Sequence, residues 1–345
     1  MHYDKITSKN EVYPQIRKLS DAGVYLSIYY ITEIIADNMN IMVYNEKYNL
    51  EEKLPVTISL ILDCIDYSRI YGAINGKFEF DYMLEIYLSL LEAFRSLDDE
   101  NAYFRYKELI EKYWKYLSPD EISFHYSIML GYCILRKQLT KSQLIFNREL
   151  ESLYDEILEN EYYKNKKVLH LPEDLYRDIL FLLLREKKLD KVKELIDKYA
   201  AKIHPTEREN MYHFSFAFYY FELGKFEKSL DYINKIKLDY FIYKYDVKNL
   251  MLKAYYELGF FEEAISMIHS YRELLRKEVF LTESRKVRNK NLIKFLRKLI
   301  VLRIDNKIND LENIKVDLEG SGYVRYRRWL LEKIGVLLSK KSLIK

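Results

Sequence analysis

An all-α fold, a solenoid of about five helical hairpins with further helices at both ends, is what this sequence predicts. Three observations carry the prediction. The stretch FELGKFEKSL, Phe221 to Leu230, returns 35 residues later as YELGFFEEAI, Tyr256 to Ile265. Only 9 glycines and 5 prolines occur in 345 residues, with no proline after Pro205, so strands and tight turns have few of the residues they need. Hydrophobic residues make up 49% of the chain, enough for a substantial core.

From the N-terminus, residues 1–85 read as a helical segment, either a cap or degenerate repeats. VYLSIYYITEIIADNMNIMVY is one long apolar-rich helix, and PVTISLILDCIDYSRIYGAI opens on Pro55, suited to a first helical turn. Residues 86–275 read as an array of hairpins. Gly224 and Gly259 each stand between two helical patterns, where a left-handed residue ends the first helix. The aromatic two residues on, Phe226 or Phe261, begins the inner face of the second helix. Ser229 and Ala264 fall where two helices cross closely. Weaker copies align Leu189, Leu139 and Phe104 with these aromatics, with Lys187 in the glycine slot and Val192 and Ser142 at the small position. The anchors lie 35, 50, 37 and 35 residues apart, and the interval of 50 implies an insertion around ENEYYKNKKVLHLPED. One hairpin cannot bury its own apolar face, whereas stacked copies can. Residues 276–345 form a basic helical segment: ESRKVRNKNLIKFLRKLIVLRI, then two shorter helices divided at Gly320-Ser321-Gly322.

The pattern resembles the tetratricopeptide repeat (TPR). The matching features are Leu223-Gly224 and Leu258-Gly259, the aromatic two residues later, the small residues Ser229 and Ala264, and Tyr220 and Tyr255 four residues before the glycine. Ala217 matches the small position of the first helix, and Leu252 departs from it. The resemblance implies a concave groove lined by the first helix of each hairpin. It carries the groove onto Met211, Phe214, Phe218 and Phe221 in one unit and onto Asp246, Asn249, Lys253 and Tyr256 in the next. Phe214 and Phe218 read equally as groove wall or as core against a neighbouring unit. Asn249 and Lys253 are expected to be exposed and able to hold a peptide backbone or carboxylate. The implied function is a non-enzymatic scaffold or adaptor for a protein or peptide partner.

Catalytic constellations are not evident. The six histidines are scattered, Asp98-Asp99-Glu100 reads as a solvated or capping turn, and no metal or cofactor motif occurs. A regulatory-phosphatase layout, with a carboxylate and an amide on the N-terminal helices, is kept as a distant alternative. Cys64 and Cys133 read as small buried residues in a reducing compartment. The 34 tyrosines suit packing between helices with the hydroxyl near water. No secretory or membrane-spanning segment is seen, so a cytoplasmic location is expected.

The net charge of +3 is uneven. Residues 271–345 hold 20 Lys/Arg against 9 Asp/Glu, a net +11, leaving −8 for the rest. Lys286, Lys290, Lys294 and Lys298 recur every four residues, flanked by Arg285, Arg288 and Arg297, with Leu292, Leu296, Leu299 and Ile300 facing inward. This stripe is either a solvated face or an alternative functional surface, binding nucleic acid or another anionic surface.

Overall fold

The computed structural model describes residues 9–48, 56–139, 143–238, 241–279, 281–305 and 310–342. Pro55 and Ser142, read above as a helix start and a small position, lie outside the described residues. The described residues are helical, with no β-strand among them. They form two compact units, residues 1–172 and 173–345. The division falls inside the stretch 86–275 that the sequence groups as one array. It coincides with the expected insertion, where residues 161–172 hold no helix.

In the first unit a long helix α1 (Lys9–Tyr48) is followed by α2 (Val56–Cys64), α3 (Tyr67–Ile74), α4 (Asp81–Arg95), α5 (Glu100–Tyr113), α6 (Pro119–Leu139) and α7 (Gln143–Asn160). Helices α4 and α5 pack as a pair, as do α6 and α7, and α1 packs against α4 and α6. Gly131 permits this approach, since a Cβ there would lie 2.5 Å from the Val43 methyls. Asp99 caps α5 by accepting from the Asn101 amide at 2.9 Å, as the capping reading expected. The anchors Phe104 and Leu139 do not begin second helices: Phe104 sits inside α5 and Leu139 closes α6. No glycine punctuates these turns, so the sequence had nothing to fix their register.

Tyr103 and Tyr106 depart from the expectation of hydroxyls near water, whereas Tyr13, Tyr29, Tyr30 and Tyr116 are exposed. Tyr103 stacks on Tyr132 at 4.7 Å and donates to Glu149 at 2.8 Å. Buried Tyr106 shares a hydrogen bond with His125 Nδ1 at 2.7 Å. Cys133 is buried, but Cys64 is exposed. Leu62 takes the buried position of that last turn of α2, and a residue two positions on points roughly the opposite way.

The second unit comprises α8 (Glu173–Arg185), α9 (Leu189–Tyr199), α10 (Pro205–Glu222), α11 (Phe226–Ile233), α12 (Phe241–Leu258), α13 (Phe261–Lys277), α14 (Glu283–Ile304), α15 (Leu311–Gly320) and α16 (Arg327–Ser342). Helices α8/α9, α10/α11 and α12/α13 pack as three successive pairs, and α10 also touches α8 and α12. All three pairs turn alike. At Gly224 (φ +72°) and Gly259 (φ +79°) the chain is left-handed. Lys225 N–H then bonds Tyr220 C=O at 2.9 Å, and Phe260 N–H bonds Tyr255 C=O at 2.9 Å. Lys187 (φ +56°) does the same without a glycine, with Lys188 N–H on Leu183 C=O at 2.9 Å. This is the Schellman arrangement, which satisfies carbonyls left open at a helix end. Ser229 fills the small position as expected, and its hydroxyl donates to the Ala217 carbonyl at 2.7 Å.

Residues 276–345 are not a separate body. Leu292, Phe295, Leu296, Leu299 and Ile300 of α14 and Leu330 and Ile334 of α16 share one core with Leu252, Tyr256, Ala264 and Ile268.

Candidate functional site

Asp246, Asn249, Lys253 and Tyr256 follow one another at three- and four-residue steps, so they share a face of α12. The structure corrects the expectation that this face lines an open groove. Asp246 is 2% exposed, Asn249 0%, Lys253 5% and Tyr256 2%. The cause is the chain's own C-terminal part: α14 and residues 323–329 lie against this row.

Each polar group in the row has a partner from those elements or a neighbouring pair. The Asp246 carboxylate accepts from Arg177 of α8, with Nε at 2.8 Å from Oδ2 and Nη2 on the same oxygen. Arg325 Nη2 donates to the other oxygen, Oδ1. Asn249 donates to Asn289 Oδ1 at 3.0 Å and accepts from the Tyr271 hydroxyl at 3.1 Å. Lys253 Nζ lies 4.1, 4.6 and 5.6 Å from the ring centres of Phe221, Tyr326 and Trp329. The ring faces offer electron density to a cation that has lost its water. Burial pushes its pKa down to about 8. Tyr256 meets Trp329 edge to face at 5.5 Å, and the indole N–H donates to Glu257 at 2.8 Å.

The row on α10 resolves as core. Met211, Phe214, Phe218 and Phe221 are all buried. Phe181 of α8 packs edge-on against Phe214 at 6.0 Å and Phe218 at 4.9 Å, and Tyr243 lies 5.4 Å from Phe214.

The basic stripe is interrupted. Lys286 pairs with Glu283 at 2.7 Å and Lys298 with Asp317 at 2.9 Å. Lys290, Lys294 and Arg297 are exposed. Lys294, Arg297 and Lys298 line a cleft of about 580 Å³ with α15, to which Asp317 of that helix and Asp310 just before it also contribute. Arg288 lies over the Tyr323 ring at 5.5 Å. Arg285 is half-buried and belongs with Arg177 and Arg325 rather than with the lysines. Burial, and then the positive charges of those two arginines, push its pKa below the ordinary guanidinium value. Leu292, Leu296, Leu299 and Ile300 are buried, as the sequence indicated.

Arg177 and Arg325 are the residues that sequence reasoning missed, while Tyr326 and Trp329 are legible there only as aromatics beside the basic helix that would add to nucleic-acid binding. The stretch YVRYRRW stands out in the sequence, but nothing local shows that it packs on a helix some 70 residues earlier.

In the first unit a cleft of about 650 Å³ is lined by Tyr71, Glu85, Glu92, Arg95, Arg105 and Lys112 among others. Apart from Glu108, its charges are paired among the described residues: Arg105–Glu92 at 2.9 Å, Arg95–Asp63 at 3.2 Å and Lys112–Glu85 at 3.8 Å. On α1, Glu33 and Asp37 are exposed while Asn38 is buried. No group of three or more His, Cys, Asp or Glu among the described residues could hold a metal ion. No described helix is long and apolar enough to cross a membrane.

The first half of α1 presents a different surface. Ile16, Leu19, Leu26 and Tyr30 are 58%, 74%, 55% and 56% exposed. With Gly23 between them they step by three and four residues, the spacing of a coiled-coil seam. The opposite face buries Ile28, Ile31, Ile35 and Met39.

No family model matches the chain, and neither a curated protein nor a solved structure matches it.

Proposed function

We propose that this chain is a non-enzymatic protein-interaction scaffold of TPR-like hairpins that takes up a helix of a protein partner on the exposed face of α1. The observation that carries the reading is the Ile16–Leu19–Leu26–Tyr30 stripe. Contiguous apolar surface of this kind has an unfavourable contact with water that a complementary helix would relieve. The three like turns at Lys187, Gly224 and Gly259, with α10 touching both α8 and α12, support the TPR-like part of the reading. The α12 row is excluded as the contact surface because its groups are already engaged.

A second reading, nucleic-acid binding through α14, draws on exposed Lys290, Lys294 and Arg297. It is weakened by the carboxylates Glu283 and Asp317 that hold the stripe's two ends.

The test is affinity capture from native extract at low and high salt. It uses the intact chain, Leu19→Ser/Leu26→Ser, and Lys290→Ser/Lys294→Ser/Arg297→Ser, with the molar mass of the free chain measured alongside. The reading expects one protein partner that persists at high salt and is lost with the α1 variant. Recovery of nucleic acid alone, released by salt and by the α14 variant, would replace it with the second reading. A self-associated chain that the α1 variant renders monomeric would make the partner a second copy.

A further inference from the structure

We propose that Arg177, Arg285 and Arg325, gathered around Asp246, form a binding site for an oxyanion ligand, a carboxylate or a phosphate. The inference stands apart from the scaffold reading and holds whether or not α1 binds a partner.

Four separate elements build the cluster: α8 supplies Arg177, α12 Asp246, α14 Arg285, and the segment before α16 Arg325. The segment is held in place by Arg325 N–H on the Arg288 carbonyl at 3.3 Å and by Asn291 Nδ2 on the Tyr323 carbonyl at 2.8 Å. Tyr326, next to Arg325, carries a left-handed backbone (φ +54°). That conformation is unfavourable for an aromatic residue, and such strain is retained where packing imposes a particular side-chain placement.

The charge does not balance. The four arginines 177, 285, 288 and 325 bring four positive charges. The carboxylates facing them are Asp246 and, on Arg177 Nη1 at 3.3 Å, Asp178. Both oxygens of Asp246 are already taken, Oδ2 by Arg177 and Oδ1 by Arg325. The Arg285 guanidinium therefore has no carboxylate to turn to, and it makes no side-chain hydrogen bond or ion pair among the described residues. Arg325 Nε is likewise buried with no partner among them. Two unmet guanidinium donors beside a net positive, partly desolvated cluster match a planar or tetrahedral oxyanion, which accepts forked N–H bonds. Burial and the neighbouring arginines work against the charge of Arg285, so an arriving anion would relieve a repulsion already present.

Asp246 has the part of a positioning residue. It holds Arg177 through Oδ2 and Arg325 through Oδ1, and its negative charge offsets part of the repulsion among the arginines.

The test titrates the full chain with inorganic phosphate and, in parallel, with acetate, each against chloride at matched ionic strength, and follows the melting temperature. The variants are Arg285→Gln, Arg285→Lys and the exposed control Lys290→Gln. A saturable rise of about 2–4 °C is expected for the intact chain and for Lys290→Gln. Arg285→Gln should lose it, and Arg285→Lys should retain only part, since an ammonium lacks the fork. Without added anion, Arg285→Gln should melt no lower than the intact chain, because the residue it removes is unpaired and repelled. A response to phosphate alone assigns a phosphoryl ligand, and an equal response to acetate assigns a carboxylate. Absence of any rise beyond the chloride control, an unchanged rise in Arg285→Gln, or a lower melting point of that variant without anion would each overturn the proposal.

Discussion

The ammonium of Lys253 lies 4.1 Å from the centre of the Phe221 ring, with Tyr326 and Trp329 closing the other sides. A cation kept this dry holds its proton weakly, and burial brings its pKa down to about 8. In the unfolded chain the same lysine titrates near 10.4. Between these values the unfolded state binds the proton and the folded state does not, so raising the pH through this window favours folding. The intact chain should gain about 2 kcal/mol relative to Lys253→Met between pH 7 and 9.5. Urea denaturation of both proteins at the two pH values measures this. Parallel curves would show that the ammonium is hydrated and that the ring box is open.

The turns offer a backbone test. A Cβ built at Gly224 or Gly259 meets nothing within 4 Å, so any cost of substitution there is conformational rather than steric. Gly224→Ala should destabilise the second unit by about 1 kcal/mol. Lys187 holds the same left-handed conformation with a full side chain. Lys187→Gly should therefore be stabilising, by about 0.5–1 kcal/mol. Equilibrium denaturation of the two variants checks both signs. A loss on Lys187→Gly would mean that the lysine side chain contributes more than its backbone conformation costs.

Those turns also show how far the sequence is legible. Glycine and leucine at matching positions mark a chain reversal locally, so the pairs α10/α11 and α12/α13 could be read directly. Leu189 was read in register although Lys187 hides the turn, because the apolar spacing of α9 survives. Phe104 and Leu139 were misplaced, since α5 and α7 begin without such a mark. The α12 row is a different kind of failure. Asp246, Asn249 and Lys253 look like an exposed polar face because periodicity reports only their own helix. What covers them, Arg325, Tyr326 and Trp329, is 70 to 80 residues away, and the like-charged run in YVRYRRW suggests a surface. The stripe on α14 was half legible: its inward leucines were evident, but its division among Glu283, Asp317 and the Arg177–Arg325 cluster depends on tertiary contacts.

The two cysteines should separate by reactivity. Cys64 is exposed at the end of α2. Cys133 is buried, its thiol 3.7 Å from the Tyr103 hydroxyl, and burial pushes its pKa up. The thiolate is the reactive form, so Cys133 is both inaccessible and protonated. Alkylation with iodoacetamide under native conditions should modify Cys64 alone, and Cys133 should react only in denaturant. Peptide mass analysis assigns the sites. Equal labelling of both in the native protein would show that the α5–α7 region opens readily.

His125 makes the first unit sensitive to acid. Its ring is fully buried beside Tyr87 and Phe124. Nδ1 is bonded to the Tyr106 hydroxyl, and Nε2 has no partner among the described residues. Burial lowers its pKa to about 3, against about 6.5 when unfolded. Below pH 6.5 the unfolded chain takes up a proton that the folded chain refuses, so stability falls with pH. From pH 7 to 5 this single group should remove about 2 kcal/mol. Substituting His125→Phe alone strands the Tyr106 hydroxyl and should cost about 1–3 kcal/mol at every pH. Tyr106→Phe/His125→Phe removes both polar groups together and should restore most of that loss while abolishing the acid dependence. Denaturation of the three proteins at pH 7 and 5 distinguishes the effects. If the double variant retains the full acid loss, the proton is taken up elsewhere and His125 is not the sensitive group.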